Sequence, residues 1–143
     1  MTDTNHSEIA RIFHLAPFIA DLGICLDSIA AGECRTSLVL AGRHLQQDGL
    51  VHAGVQATMA DHTAGAAAAS LVASGQYVLT AEFKINLLRA AKGSHLTCVA
   101  KVLKAGSSLT VVESEVFCGT SEAVRLVSKA TVTLAVVGPR NEN

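Results

Sequence analysis

The spacing of hydrophobic positions changes period twice along the chain. Residues 5–15, NHSEIARIFHL, put Ile9, Ile12 and Phe13 on one side of a helical repeat, and Pro17 ends or bends that element. Two candidate strands follow, ADLGICLDSIA (20–30) and ECRTSLVL (33–40), separated by Ala31-Gly32. The loop AGRHLQQDGLV then leads into a helix expected from about Ala53 to Ser74, with Gly75 as its stop. Beyond it the period falls to two. In VLTAEFKINLL (78–88), Leu79, Ala81, Phe83, Ile85 and Leu87 share one face, and Thr80, Glu82, Lys84 and Asn86 the other. HLTCVAKVLK (95–104), LTVVESEVF (109–117) and VRLVSKATVTLAVV (124–137) are strand-like and joined by the short turns AGSS and GTSE.

One long helix followed by hairpins predicts an α+β fold, a central helix wrapped by a curved antiparallel sheet of five to six strands. The chain reads as one domain over 1–143, with an N-terminal helical segment (1–15) and a short tail (138–143). The central helix is rich in Ala and Gly, which suits a helix that others must pack closely around. Nucleotide-binding glycine motifs are absent from the sequence.

Composition narrows the function classes. Half of the 143 residues are hydrophobic and the formal charge is −1, so nothing suggests disorder or a nucleic-acid footprint. The longest apolar run, AGAAAASLVA (64–73), is far short of the ~20 residues that cross a bilayer. MTDTNHSEIARIF lacks the basic start and apolar run of a signal peptide, which predicts a soluble cytoplasmic protein. Cys25, Cys34, Cys98 and Cys118 lie far apart, as expected of small buried residues in a reducing compartment rather than metal ligands.

The chemistry concentrates in GLVHAGVQATMADHTAG (49–65), where Asp61 stands amid small apolar residues. A buried carboxylate is costly unless paired, hydrogen-bonded or used. The helix start at Ala53 and Gly54 presents free N–H groups to an anion. Asp61 lies ~12 Å further along the axis, too far to act on a carbonyl held there by its own chain. If both serve one reaction, the acid comes from a second copy whose helix runs antiparallel, which predicts a two-fold dimer with two composite sites. His62 points elsewhere and reads as packing, and an Asp61/His62 metal site has little support.

The pattern Gln46-Gln-Asp-Gly-Leu-Val-His52-Ala-Gly54-(x6)-Asp61, followed by LTAEFKINLLRAAKG (79–93), resembles the hotdog-fold acyl-CoA thioesterases. Within the 4-hydroxybenzoyl-CoA thioesterase superfamily it is most similar to the phenylacetate-degradation (PaaI-type) branch, over about residues 15–137. The resemblance implies hydrolysis of acyl- or aroyl-CoA thioesters by a dimer or tetramer, with no cofactor, since CoA enters as part of the substrate. It implies Asp61 as general base or nucleophile and the Ala53 N–H as the donor that polarises the carbonyl. Gln46 would position the water or the thioester, and His52 would orient the loop or stabilise the leaving thiolate. Thr80 matches a hydroxyl that assists the attacking water in some members.

Two positions depart from the pattern. The usual His-Gly-Gly is His-Ala-Gly, which costs ~1 kcal/mol or more if Ala53 needs φ > 0 and nothing if it is helical. The strand usually ends Arg-Pro and here ends Arg89-Ala90. For CoA phosphates the resemblance points to Arg89, Lys92, Lys104 and the turn Gly106-Ser107-Ser108, where many relatives carry a cation at one of the serines. Val55, Met59 and Leu87 are candidate acyl-pocket lining, with core packing the favoured role for each. Two rival readings accompany this one: a non-catalytic acyl-CoA-binding hotdog protein, and a hotdog hydratase, whose usual acid–His pair is missing.

Overall fold

The computed structural model describes residues 3–139, so the first two positions of the N-terminal segment and residues 140–143 of the expected tail lie outside the described residues. The described elements are α1 (Asp3–Leu15), α2 (Pro17–Leu22), β1 (Cys25–Ala30), β2 (Glu33–Val39), α3 (Ala53–Ala69), β3 (Tyr77–Leu87), β4 (His95–Ala105), β5 (Leu109–Gly119) and β6 (Val124–Val137). All six strands form one antiparallel sheet in the order β1-β2-β4-β5-β6-β3. The α3 helix touches every strand, so the sheet curves around it, as the sequence predicts.

Two boundaries differ from expectation, each for a local reason, and a third difference lies in strand register. The strand expected from residue 20 begins only at Cys25, because Pro17 opens a second short helix at its first position. Gly23, in the left-handed conformation at φ 87°, closes that helix. The long helix ends at Ala69, five residues before Ser74. There the Ser70 hydroxyl donates to Ala67 O and accepts the Gly32 N–H, which ties the helix end to the β1–β2 turn.

The third difference sets up the site. The β3–β6 register slips between Thr80 and Glu82. Thr80 pairs with Leu134, which faces the helix, and after the slip Phe83 pairs with Val132, also buried. Thr80 therefore shares the inner face with Phe83, Ile85 and Leu87, while Leu79 turns outward. Unbroken alternation puts Leu79 on the face of Phe83, Ile85 and Leu87 and Thr80 on the opposite one.

Small helix residues let strand side chains reach α3. Ala60, Ala64, Ala67 and Met59 are fully buried against Leu96, Cys98, Val112 and Val132. The Ser114 hydroxyl donates to Ala60 O at 2.8 Å, and the buried hydroxyls of Thr36 and Thr63 lie 2.8 Å apart. These bonds satisfy polar groups in an otherwise apolar layer.

Candidate active site

The helix start carries the first half of the candidate site. His52 caps α3: its Nδ1 accepts the Gly54 N–H at 2.8 Å, which places the ring proton on Nε2. The Gly54 N–H, expected to be free, is thus occupied. Val55 and Gln56 donate their N–H groups to His52 O. Among the described residues no protein acceptor takes the Ala53 N–H, so it is the open donor at the exposed helix start. Among the described residues no non-glycine has positive φ, so Ala53 carries no backbone strain there.

The preceding loop is braced from beneath by His44, which sequence reasoning missed. Its side chain is fully buried; Ala41 N–H donates to Nδ1 at 2.9 Å and Nε2–H donates to Leu22 O at 2.7 Å. Its own carbonyl accepts the His52 N–H at 2.9 Å. The only trace in the sequence is a histidine flanked by Arg43 and Leu45 in a loop, a weak signal without the fold. Gln46 closes the same loop, its side-chain oxygen accepting the N–H groups of Asp48 and Leu50. Gly49, at φ 80°, makes the turn between them.

Asp61 and Thr80 form the second half. Thr80 Oγ1–H donates to Asp61 Oδ1 at 2.7 Å, and Asp61 is half-buried where α3 passes β3. The next helix residue, His62, turns away: Nε2–H donates to Phe13 O at 3.2 Å and its ring lies 4.3 Å from the Phe13 ring. Burial pushes its pKa down, outweighing the upward pull of the Phe13 carbonyl and Asp61. Among the described residues no group of three or more His, Cys, Asp or Glu side chains could hold a metal.

Residues 48–124 match the thioesterase superfamily. The chain belongs to that superfamily. Its hotdog fold matches a thioesterase family protein from Silicibacter pomeroyi at 31% identity and TM-score 0.90, covering 93% of this chain and 98% of that one. It is 27% identical over 115 residues to a 1,4-dihydroxy-2-naphthoyl-CoA hydrolase of Listeria monocytogenes, covering 80% of this chain and 91% of that protein. A hypothetical thioesterase from Streptococcus pneumoniae, solved with coenzyme A, matches at 26% identity and TM-score 0.78, covering 92% and 98%.

In this thioesterase the remaining candidates fall at two ends of the sheet. Arg89 and Lys92 sit near the start of α3, where Val51 N–H donates to Ala91 O; Arg89 also donates to Leu126 O at 3.1 Å. Lys104 lies near the end of β4, and Gly106, Ser107 and Ser108 form the β4–β5 turn, closed by the Gly106 N–H donating to Leu109 O. That turn shares a ladder row with Thr80, through Leu134, Thr110 and Ala105. The eleven-residue β4 separates the two ends by roughly 33 Å, so one chain cannot close both around one nucleotide. Val55 and Met59 are buried in the core. Cys34, Cys98 and Cys118 are buried as expected, but Cys25 is exposed at the start of β1.

Proposed function

We propose that the chain hydrolyses acyl- or aroyl-CoA thioesters to the free acid and CoA, in composite sites shared by two copies. The observation that carries this reading is the separation of its two reactive groups. The open Ala53 N–H stands at the helix start, and the Thr80-held Asp61 carboxylate lies ~12 Å along the same axis. An antiparallel second copy brings one group of each kind together twice. The exposed β3 edge supports such pairing, since Leu79, Phe83 and Leu87 are 56%, 42% and 52% exposed.

In this reading the thioester oxygen sits on the Ala53 N–H of one copy. Thr80 holds Oδ1 of the other copy's Asp61, leaving Oδ2 to take a proton from water. The water oxygen bonds to the carbonyl carbon, and the N–H stabilises the oxyanion, a contribution of ~3–4 kcal/mol. The C–S bond then breaks, and the thiolate takes that proton from Asp61 Oδ2 to leave as CoA thiol, restoring the carboxylate. His52 Nε2–H is available to steady the departing sulfur. The Gln46 amide N–H group, not used by its loop, can orient the water or the thioester. A direct attack by Asp61 through a mixed anhydride uses the same geometry; the water route is favoured because Thr80 orients the carboxylate. Arg89 and Lys92 of one copy and the Lys104 turn of the other supply candidate contacts for the CoA phosphates.

A thiol-trapping screen over short, medium, long and aromatic acyl-CoAs tests this. Asp61→Asn is expected to lower thiol release by about a thousandfold or more while the melting temperature holds. Equal turnover in the variant removes Asp61 from the mechanism. Ligand stabilisation without any thiol release makes the protein a binder instead. Light scattering that finds only monomers overturns the composite site.

A further inference from the structure

A cleft of about 1310 Å³ opens beside Asp61, between α1, α3 and β3. Asp61 and Thr80 stand at one end, and the cleft follows α3 past Gly65 to Ala69, Leu71 and Tyr77. From Asp61 to Ala69 is ~12 Å along the helix. Ile9, Ile12 and Phe13 of α1 form the facing wall. Ile9 and Phe13 anchor α1 in the core, yet Ile12 remains 40% exposed.

Two features say what the cleft takes. First, no Lys or Arg lines it among the described residues, while Glu8 and Asp61 do. Arg11 beside the cleft is already held by Glu8 at 2.7 Å, so among the described residues a carboxylate-bearing or phosphorylated group finds no unpaired Lys or Arg there. Second, α3 has alanine at 64 and at 66–69 but glycine at 65, although a helix interior disfavours glycine. A Cβ at Gly65 would meet only Leu134 Cδ2, at an ordinary 3.8 Å, so the chain's own packing does not require the glycine. What the missing side chain leaves is room in the cleft, one helical turn from Asp61.

We infer that this cleft is the acyl-chain site, that it takes an uncharged, extended aliphatic acyl group running along α3 from the reacting carbonyl, and that Gly65 and Ile12 gauge its length. This rests on the thioester-hydrolysis reading for which carbon sits at Asp61. It adds the substrate class: neutral chains of medium length rather than dicarboxylic acyl groups.

Non-hydrolysable thioethers separate the two claims. S-ethyl-, S-hexyl- and S-decyl-CoA are titrated calorimetrically into the full chain, with an ω-carboxynonyl thioether as the charged control. Affinity is expected to rise on the order of a hundredfold or more from ethyl to decyl, because each methylene leaves water. The charged chain should bind about tenfold or more below decyl. Gly65→Leu and Ile12→Glu, on opposite walls, should each cut the ethyl-to-decyl gain by about tenfold or more. Affinity independent of length, equal binding of the charged chain, or variants that weaken ethyl and decyl alike each overturn the inference. So does loss of self-association in Gly65→Leu, which would make the glycine a subunit contact. Length-dependent binding without thiol release from decanoyl-CoA would fault the hydrolysis reading and leave the acyl site standing.

Discussion

Thr80 reaches Asp61 from a strand nineteen residues later in the chain, donating to Oδ1 at 2.7 Å. The register slip beside it turns its side chain inward. A hydrogen bond to a carboxylate contributes ~1.5–3 kcal/mol. If it holds Asp61 in its reactive pose, Thr80→Val should lower kcat by about tenfold to a hundredfold with KM nearly unchanged. Thr80→Ser keeps the hydroxyl and should recover most of the loss. Steady-state kinetics on one acyl-CoA check this, and a serine variant as slow as the valine one would deny the hydroxyl its role.

The same residue shows where sequence legibility ends. Period-two patterning located β3 to within a residue, because alternating burial is a local property of the strand. Which face Thr80 occupies depends on a slip against β6, more than fifty residues on, and no local pattern carries that. The helix start and the Asp61 spacing were legible, since a cap and a 1.5 Å rise need no tertiary context. The occupied Gly54 N–H was not, because it follows from a His52 rotamer. His44 and the cleft beside α1 were hidden for the same reason: their partners are brought together only by the fold.

His44 should behave as a brace for the amide donor. Its ring joins Ala41 N–H to Leu22 O, and its carbonyl fixes His52 at the helix start. His44→Leu leaves the half-buried Ala41 N–H without its acceptor and Leu22 O with only its Arg43 bond, a cost of about 1–3 kcal/mol in all. The expected result is a lower melting temperature together with a kcat loss that exceeds any KM change. His44→Gln, which retains one of the two bonds, should fall between. A variant that melts earlier but turns over at the wild-type rate would confine His44 to stability.

The thiols should differ sharply in reactivity. Burial raises Cys34 and Cys98 to about 12, and raises Cys118 as well, so thiolate is scarce at these sites at neutral pH. Cys25 is exposed. In the native protein one of the four thiols should react quickly with a disulfide reagent at pH 8, and Cys25→Ser should remove that phase. Guanidinium unfolding should release the rest. Two or more fast native thiols would contradict the buried placement.

His62 makes stability depend on pH in a direction that its burial dictates. Desolvation lowers its folded pKa below the ordinary value of about 6.5, with His14 adding to the shift and the Phe13 carbonyl and Asp61 opposing it. The unfolded chain therefore takes up the proton first as the solution is acidified. Its contribution to stability is complete above about pH 6.5 and shrinks as pH falls toward the lower folded value. In His62→Gln the side-chain amide can still donate to Phe13 O, but no titrating group remains. Melting temperatures measured from pH 7.5 to 5.5 should fall less steeply for the variant, the other histidines being common to both proteins. Parallel curves would show that His62 takes up its proton equally in the folded and unfolded chain, and the buried contact with Phe13 would then be too loose to hold α1 against the cleft.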